Sequence, residues 1–213
     1  MKLRTTFLLL FLALLMTNNI HAQGFAAGIK VSTLGIQVEG IKSLSKSFNG
    51  RVGIAFFSYN LTGGGGTEDF EYEGDLKLMS VSLLADYFPF QNWFRITGGA
   101  LINLNKGELT MTPTQSYMVG GVLYTPEMLG EVSADVKVNV LSPYIGIGIG
   151  NPTVGKGVGF SLDIGGVYQG KPSVEMDADG LLEPSAEQAP IIEDNLSWFQ
   201  FYPVVSLGIT IKF

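Results

Sequence analysis

Cysteine and histidine are almost missing from this chain. None of its 213 residues is cysteine, and only one, His21, is histidine. Without cysteine a disulfide framework is excluded, so a hydrogen-bonded sheet or a packed core must supply the stability. The shortage of imidazole and thiol argues against a metal site built from these ligands and against a serine activated by histidine. No pair of carboxylates suggests catalysis either, so we expect neither an enzyme nor a cofactor.

Basic residues are also few. The chain has 13 Lys and Arg against 19 Asp and Glu, which gives a net charge of −6. Proteins that bind nucleic acid need clustered Lys and Arg to neutralise phosphates. A nucleic-acid partner is therefore not expected.

Only one long apolar run is present, at residues 7–16, directly after a short basic segment. It is too short to cross a bilayer as a helix, and the small residue Ala22 follows a few positions later. These features predict a secretory signal peptide over residues 1–22, with a retained anchor as the weaker alternative. The remaining residues 23–213 suit one exported domain, and this domain lacks histidine altogether.

Strict alternation of side chains marks the final segment, residues 201–213. Apolar side chains occupy its odd positions and a more polar set its even positions, so one face of a strand here would be apolar from end to end. Such a strand is an aggregation hazard in water but suits the wall of a transmembrane barrel. The same alternation, each time with its own phase, recurs in segments that begin near Phe25, Leu34, Val52, Met79, Phe94, Pro143 and Val158.

These segments predict an all-β fold, an eight-stranded antiparallel up-and-down transmembrane β-barrel. The count of eight depends on residues 25–43, where the apolar residues change from odd to even positions near Ser32 and Thr33. A phase change of one residue interrupts a ladder, so a tight hairpin or a β-bulge must lie there. We favour the hairpin, because bacterial barrels have even strand numbers. A bulged single strand would instead require a further strand near residues 117–124.

Long and short connections alternate between the predicted strands, as in outer-membrane barrels. No stretch has a helical period. Counted back from the end of the chain, the expected long outer loops are residues 177–199, 106–135 and 60–75, and the expected short turns are residues 150–157, 88–93 and 43–50.

In the predicted strands, every charged side chain lies on the face opposite to the apolar face. A Lys or Arg that faces lipid near the bilayer midplane costs about 2–4 kcal/mol, so these charges are expected to point into the lumen. A soluble sandwich or lipocalin-like barrel would show the reverse partition. The predicted inward charges, which form a lumen network or line a pore, are Lys30, Glu39, Arg51, Asp86, Arg95, Asp163 and Lys212.

Small residues and some apolar residues also occupy the inward-facing positions of the predicted strands. The interior of an eight-stranded barrel is just wide enough for side chains to fill. Phe57, Leu84 and Leu101 make the expected interior mixed in character. The inward glycines expected to make room for long Arg and Tyr side chains are Gly146, Gly148, Gly159 and Gly165.

The final segment also has a motif, with polar Ser206, then Gly208, apolar Ile211 and aromatic Phe213. It resembles the C-terminal targeting signal of Gram-negative outer-membrane barrels. With the predicted signal peptide, the whole exported chain resembles small eight-stranded barrels of the OmpA-transmembrane, OmpX and OmpW type. This resemblance implies an outer-membrane location, recognition by the barrel-assembly machinery, contact with outer-membrane lipid and lipopolysaccharide, and a monomer.

Three functions are compatible with such a chain. The favoured one is a non-enzymatic outer-membrane barrel with a largely side-chain-filled lumen and acidic extracellular loops, in a structural or interaction role. The second is a narrow channel for small or apolar solutes, as the likeness to OmpW would imply. The third is a soluble exported barrel that binds a lipid.

Carboxylates concentrate in two of the expected loops, at residues 67–75 and 175–194. We interpret them as a solvated surface that repels other acidic surfaces. Weak binding of Ca²⁺ or Mg²⁺ is the alternative, with Asp177 and Asp179 as weak candidate ligands. These two residues match only the start of a calcium-binding loop, so no metal site is predicted.

Overall fold

The structure is a computed structural model that describes residues 24–64, 69–154 and 157–213. The predicted signal peptide lies outside the described residues. In chain order the strands are β1 (Phe25–Ser32), β2 (Gly35–Ser45), β3 (Phe48–Gly64), β4 (Phe70–Tyr87), β5 (Phe94–Asn103), β6 (Lys106–Pro113), β7 (Tyr117–Val119), β8 (Val122–Tyr124), β9 (Val132–Lys137), β10 (Leu141–Ile149), β11 (Gly157–Tyr168), β12 (Ser173–Ala178) and β13 (Phe201–Lys212).

Eight of these strands close into an antiparallel barrel. Their order around the wall is β1, β2, β3, β4, β5, β10, β11 and β13, and β13 pairs again with β1. The closing pair runs from Ala26 opposite Lys212 to Ser32 opposite Ser206. Closure leaves the barrel without a free edge, as a lipid environment requires. The prediction of an eight-stranded up-and-down barrel is confirmed.

The ambiguous N-terminal region is a hairpin. Ser32 pairs with Gly35, so Thr33 and Leu34 form a two-residue turn between β1 and β2. The hairpin alternative is therefore correct. Leu34, however, was predicted to face outward with the apolar set of β2, whereas it turns into the barrel and is only 7% exposed. It lies in the turn, where the alternation of a strand no longer determines the direction of a side chain.

The outer surface of the barrel is apolar and ends in aromatic residues. On β13, for example, Leu207, Ile209 and Ile211 are exposed, while Ser206 and Thr210 are buried. At the end of the barrel where β1 begins and β13 ends, the rings of Phe48 and Tyr87 stack at 4.9 Å. At the opposite end, those of Tyr168 and Phe201 lie 5.1 Å apart. An apolar band between two aromatic girdles is the surface that a bilayer selects.

Three further strands raise part of the barrel wall beyond this band. β3 and β4 stay paired as far as Gly64 opposite Glu71. β6 pairs with the upper half of β4, β9 pairs with β6, and β12 pairs with β9. We call this sheet the outer wall; it consists of residues 57–64 of β3, residues 70–78 of β4, and strands β6, β9 and β12. Much of the chain predicted as long outer loops is therefore paired strand.

The remaining outer segments contain short helical elements, contrary to the expectation of none. They are α1 (Pro126–Leu129), α2 (Ala189–Asn195), and the 3₁₀ helices Gly180–Gln188 and Ser197–Gln200. Elements of one to three turns leave little helical period in a sequence, which explains why none was found. Among the described residues, none of the helices has the length and apolar character needed to cross a membrane. Strands β7 and β8 form a separate two-stranded sheet and pair with no other strand of the described ranges.

Candidate functional site

Six of the seven predicted inward charges meet inside the barrel. Each lies on a different strand, at a position whose neighbours along the strand face outward. All six are buried, and Arg95 and Asp86 are 0% exposed. Charged groups buried to this extent require partners of opposite charge, because the loss of hydration costs several kcal/mol per ion.

Asp163 is the centre of the network. Its Oδ1 lies 2.6 Å from Nη2 of Arg95 and 3.5 Å from Nη2 of Arg51. Its Oδ2 lies 2.8 Å from Nζ of Lys30 and accepts a hydrogen bond from Ser206 Oγ at 3.3 Å. One carboxylate from β11 thus faces three cations, which β1, β3 and β5 supply.

The other two carboxylates complete the pairing. Glu39 lies 2.7 Å from Lys30 and 3.4 Å from Arg51. Asp86 lies 3.0 Å from Arg51 and 3.7 Å from Arg95, and its Oδ1 also accepts a hydrogen bond from a threonine hydroxyl. Three cations and three anions balance, so this ionic layer carries no net charge.

Glycines leave space for these long side chains. A Cβ atom on Gly148 would lie 2.7 Å from Arg95 Nε and equally close to Asp163 Oδ1. A Cβ atom on Gly28 would meet Glu39 Cγ at 3.1 Å. Gly146 and Gly165 lie beneath the ring of Tyr144, and Gly159 lies beside Lys212. The four predicted glycines therefore do make room for long side chains.

An apolar layer covers the ionic layer on the side of the outer wall. The alternation of the strands predicted that Leu84 and Leu101 face the interior, but it did not indicate a continuous layer, because the members come from separate strands and one turn. Phe57, also predicted to lie inside, is 44% exposed and belongs to the outer wall. The layer consists of Leu34, Ala55, Leu84, Leu101, Tyr144, Val167 and Val204.

Very little space is left between the two layers. The cavity there has a volume of about 20 Å³, which is close to what a single water molecule occupies. Its lining includes Arg51 and Asp163 on one side and Leu84 and Val204 on the other.

Lys212 does not join the network, although it was predicted with the inward charges. Its Nζ donates a hydrogen bond to the carbonyl oxygen of Val154 at the end of the barrel where β1 begins and β13 ends. No carboxylate of the described chain forms an ion pair with it. Lys212 is the last residue of β13, and this position leaves it beyond the reach of the central carboxylates.

The weak metal candidates Asp177 and Asp179 lie far from the lumen, at the top of β12. Asp179 Oδ1 accepts a hydrogen bond from the backbone amide of Glu131 at 2.5 Å. Within the described ranges, no group of three or more Asp, Glu, His or Cys side chains is arranged to hold a metal ion.

The closed barrel, its apolar outer band and its charged interior define a small eight-stranded outer-membrane β-barrel, and the protein is located in a bacterial outer membrane. Two crystal structures from Acinetobacter baumannii have a similar fold. CarO is 19% identical with a TM-score of 0.58, and the match covers 92% of this chain and 99% of CarO. CarO2 is 18% identical with a TM-score of 0.58, and the match covers 88% of this chain and 97% of CarO2. No protein-family model and no curated protein matches the sequence.

Proposed function

We propose that this protein is a non-enzymatic outer-membrane barrel whose lumen is closed by its own side chains and whose outer wall serves an interaction role. The observation that carries the proposal is the six-residue ionic layer with its residual cavity of about 20 Å³. A solute that crossed the barrel would have to displace both this layer and the apolar layer above it.

The energetics favour a stable closure over a gate. Breaking a buried ion pair by loss of one partner costs roughly 3–5 kcal/mol, because the other charge is left unpaired. Each of the six groups has at least two partners of opposite charge. Opening a path would separate several pairs together, so a spontaneously open state would be rare.

The chemistry of the site supports the absence of catalysis. The only histidine, His21, belongs to the predicted signal peptide. Each of the three buried carboxylates is already paired with cations of the barrel interior, so none of them is free to act as a general base on a substrate.

We further propose that the chain reaches the membrane as a monomer through the barrel-assembly machinery and contacts lipopolysaccharide there. The observation in support is the exposure of Ile211 and Phe213 on the outer surface of the closing strand. This position leaves the apolar residues of the terminal motif accessible to a partner during insertion.

A planar-bilayer recording of the refolded protein tests the closed lumen. We expect the wild-type protein to give no stable conductance steps, and the double variant Arg95→Ala, Asp163→Ala to give them. The matched control is Lys137→Ala, Glu175→Ala, which removes an ion pair of the outer wall and should stay silent. Stable steps from the wild-type protein that substitution of Arg95 or Asp163 alters would establish the narrow channel instead.

A further inference from the structure

The two faces of the outer wall differ sharply in chemistry. The face that continues the lumen side is apolar and partly open to solvent, and Leu61 and Leu109 pack there around Gly74. A depression of about 350 Å³ lies on this part of the wall. The exposed apolar side chains of this face on β3, β4 and β6 are Phe57, Tyr59, Leu61, Phe70, Tyr72, Leu76, Leu109 and Met111.

The opposite face of the wall is acidic. Its three lysines already have carboxylate partners: Lys77 lies 2.5 Å from Asp75, Lys106 pairs with Glu108, and Lys137 pairs with Glu175. Toward the open side of the wall, Glu71 and Glu73 of β4 have no lysine opposite them, because β3 offers only short neutral side chains there. The carboxylates on this face of the described strands are Glu71, Glu73, Asp75, Glu108, Asp135, Glu175 and Asp177.

One of the two edges of the outer wall is covered. On β12 the backbone amide of Val174 donates a hydrogen bond to Glu193 of α2 at 2.9 Å. Nearby, Lys171 pairs with Asp194 at 2.8 Å. A side chain that caps the edge in this way protects it from pairing with another chain.

The other edge, on β3, is open. The ladder between β2 and β3 ends at Ile36 opposite Phe56, and no described strand pairs with β3 beyond that point on this side. The backbone amide of Phe88 donates to the carbonyl of Ser47, directly below the first pair of β3 and β4. Ser47 is therefore a hydrogen-bonded partner of β4, and hydrogen-bonded and non-hydrogen-bonded pairs alternate along an antiparallel ladder. It follows that the backbone groups of the odd residues of β3 bond to β4, whereas those of the even residues point away from β4.

Ser58, Asn60 and Thr62 therefore direct their backbone N–H and C=O groups to the open edge. Residues 57–64 contain no charge and no proline. Exposed edges in natural proteins usually have charged residues, proline or a bulge that prevents a further strand from adding. This edge has none of these features, which makes it a template for strand addition.

We propose that the open edge of β3 binds an extended segment of a partner protein whose residues are alternately apolar and basic. One set of its side chains would continue the apolar row of Phe57, Tyr59 and Leu61. The other set would pass over the short side chains of the edge strand, within reach of Glu73 and Asp75 on β4. This inference rests on the interaction role proposed above and is independent of the closed lumen.

A second copy of this chain does not fit the same edge within one membrane. Antiparallel pairing of two β3 edges needs a two-fold axis perpendicular to the wall, which would turn one copy upside down in the bilayer. Parallel pairing about an axis along the strand would join the apolar face of one copy to the acidic face of the other. The occupant is therefore a different chain.

Synthetic peptides and the refolded protein in lipid nanodiscs test the proposal. The probe is a ten-residue peptide of alternating leucine and lysine, and its comparison peptides have alternating leucine and glutamate or the same leucines and lysines in two blocks. We expect only the alternating basic peptide to bind and to protect the amides of Ser58, Asn60 and Thr62 from hydrogen exchange.

Two substitutions at one position separate strand addition from general charge attraction. Asn60→Pro removes an edge N–H but leaves the bonds of β3 to β4 intact, whereas Asn60→Ala keeps the N–H. We expect Asn60→Pro to weaken binding roughly tenfold, as the loss of one or two backbone hydrogen bonds implies, and Asn60→Ala to bind like the wild type. Equal affinity of these two variants, equal binding of the block peptide, or self-association of the protein at this edge would overturn the proposal. None of these outcomes depends on whether the lumen conducts.

Discussion

Nη2 of Arg95 lies 2.6 Å from Oδ1 of Asp163, although 68 residues separate them in the chain. Strands β5 and β11 do not pair with each other, because β10 lies between them. The contact crosses the lumen side of three adjacent strands, and Gly148 on β10 provides the space. The ion pair links β5 to β11, which no ladder of backbone hydrogen bonds connects directly, so it contributes to closing the interior as well as to filling it.

Removal of Asp163 should destabilise the barrel strongly. Asp163→Ala leaves Lys30, Arg51 and Arg95 with two carboxylates between them, and an unpaired buried cation costs roughly 3–5 kcal/mol. We expect a clear fall in the urea midpoint of unfolding in detergent micelles. The control is Lys30→Met combined with Glu39→Gln, which removes one charge of each sign and should cost less. If the single variant were as stable as the wild type, the ionic layer would not be a structural element.

Enlargement of Gly148 should also be costly. The Cβ atom of Gly148→Ala would lie 2.7 Å from both Arg95 and Asp163, and overpacking of this kind typically costs about 1–3 kcal/mol. Gly40→Ala is the matched control on a barrel strand, because a Cβ atom there meets nothing within 4 Å. Urea unfolding of both variants checks the prediction, and similar losses for the two would contradict it.

The terminal motif should separate into residues needed for the fold and residues needed for assembly. A Cβ atom on Gly208 would lie 2.8 Å from Cα of Lys30 and closer still to its side chain, so Gly208→Ala should weaken the barrel even when the purified protein is refolded in vitro. Phe213 is exposed to lipid, so Phe213→Ala should refold normally in vitro but reach the outer membrane of cells poorly. The measurements are the yield of folded barrel on unheated gels and the amount in isolated outer membranes. An equal defect of both variants in vitro would rule out the separation.

A carboxylate of the outer wall should titrate below its ordinary range. The hydrogen bond that Lys106 donates to Glu108 holds the pKa of Glu108 below the usual value of a glutamate. The pair therefore stabilises the wall above the ordinary glutamate pKa, and this stabilisation is lost as the pH falls through the lowered pKa. We expect Lys106→Gln to return the pKa of Glu108 toward its usual value in a carboxyl NMR titration. The control is Lys137→Gln, which removes the partner of Glu175 instead and should leave the pKa of Glu108 unchanged.

The outer wall shows why alternation alone predicted the barrel better than the loops. On β3 the apolar side chains occupy even positions up to Phe56 and odd positions from Phe57 onward, yet the strand continues without a turn. The same kind of phase change between Val31 and Leu34 does mark a turn. Within the bilayer the apolar side chains of β3 face lipid, and beyond it they lie on the face that continues the lumen side. The pattern therefore inverts at the membrane boundary although the backbone does not change.

The sequence by itself determined the barrel strands, the face that each charge occupies and the glycines that accommodate long side chains. These depend on the two-residue period of a strand and on the cost of placing a charge in lipid, both of which are local properties. Only the tertiary structure decided that Lys30, Glu39, Arg51, Asp86, Arg95 and Asp163 form one network while Lys212 stays outside it. It also decided which edge of the outer wall is left open. The height of each residue along the barrel depends on the stagger between neighbouring strands, and the alternation within a single strand contains no information about this stagger.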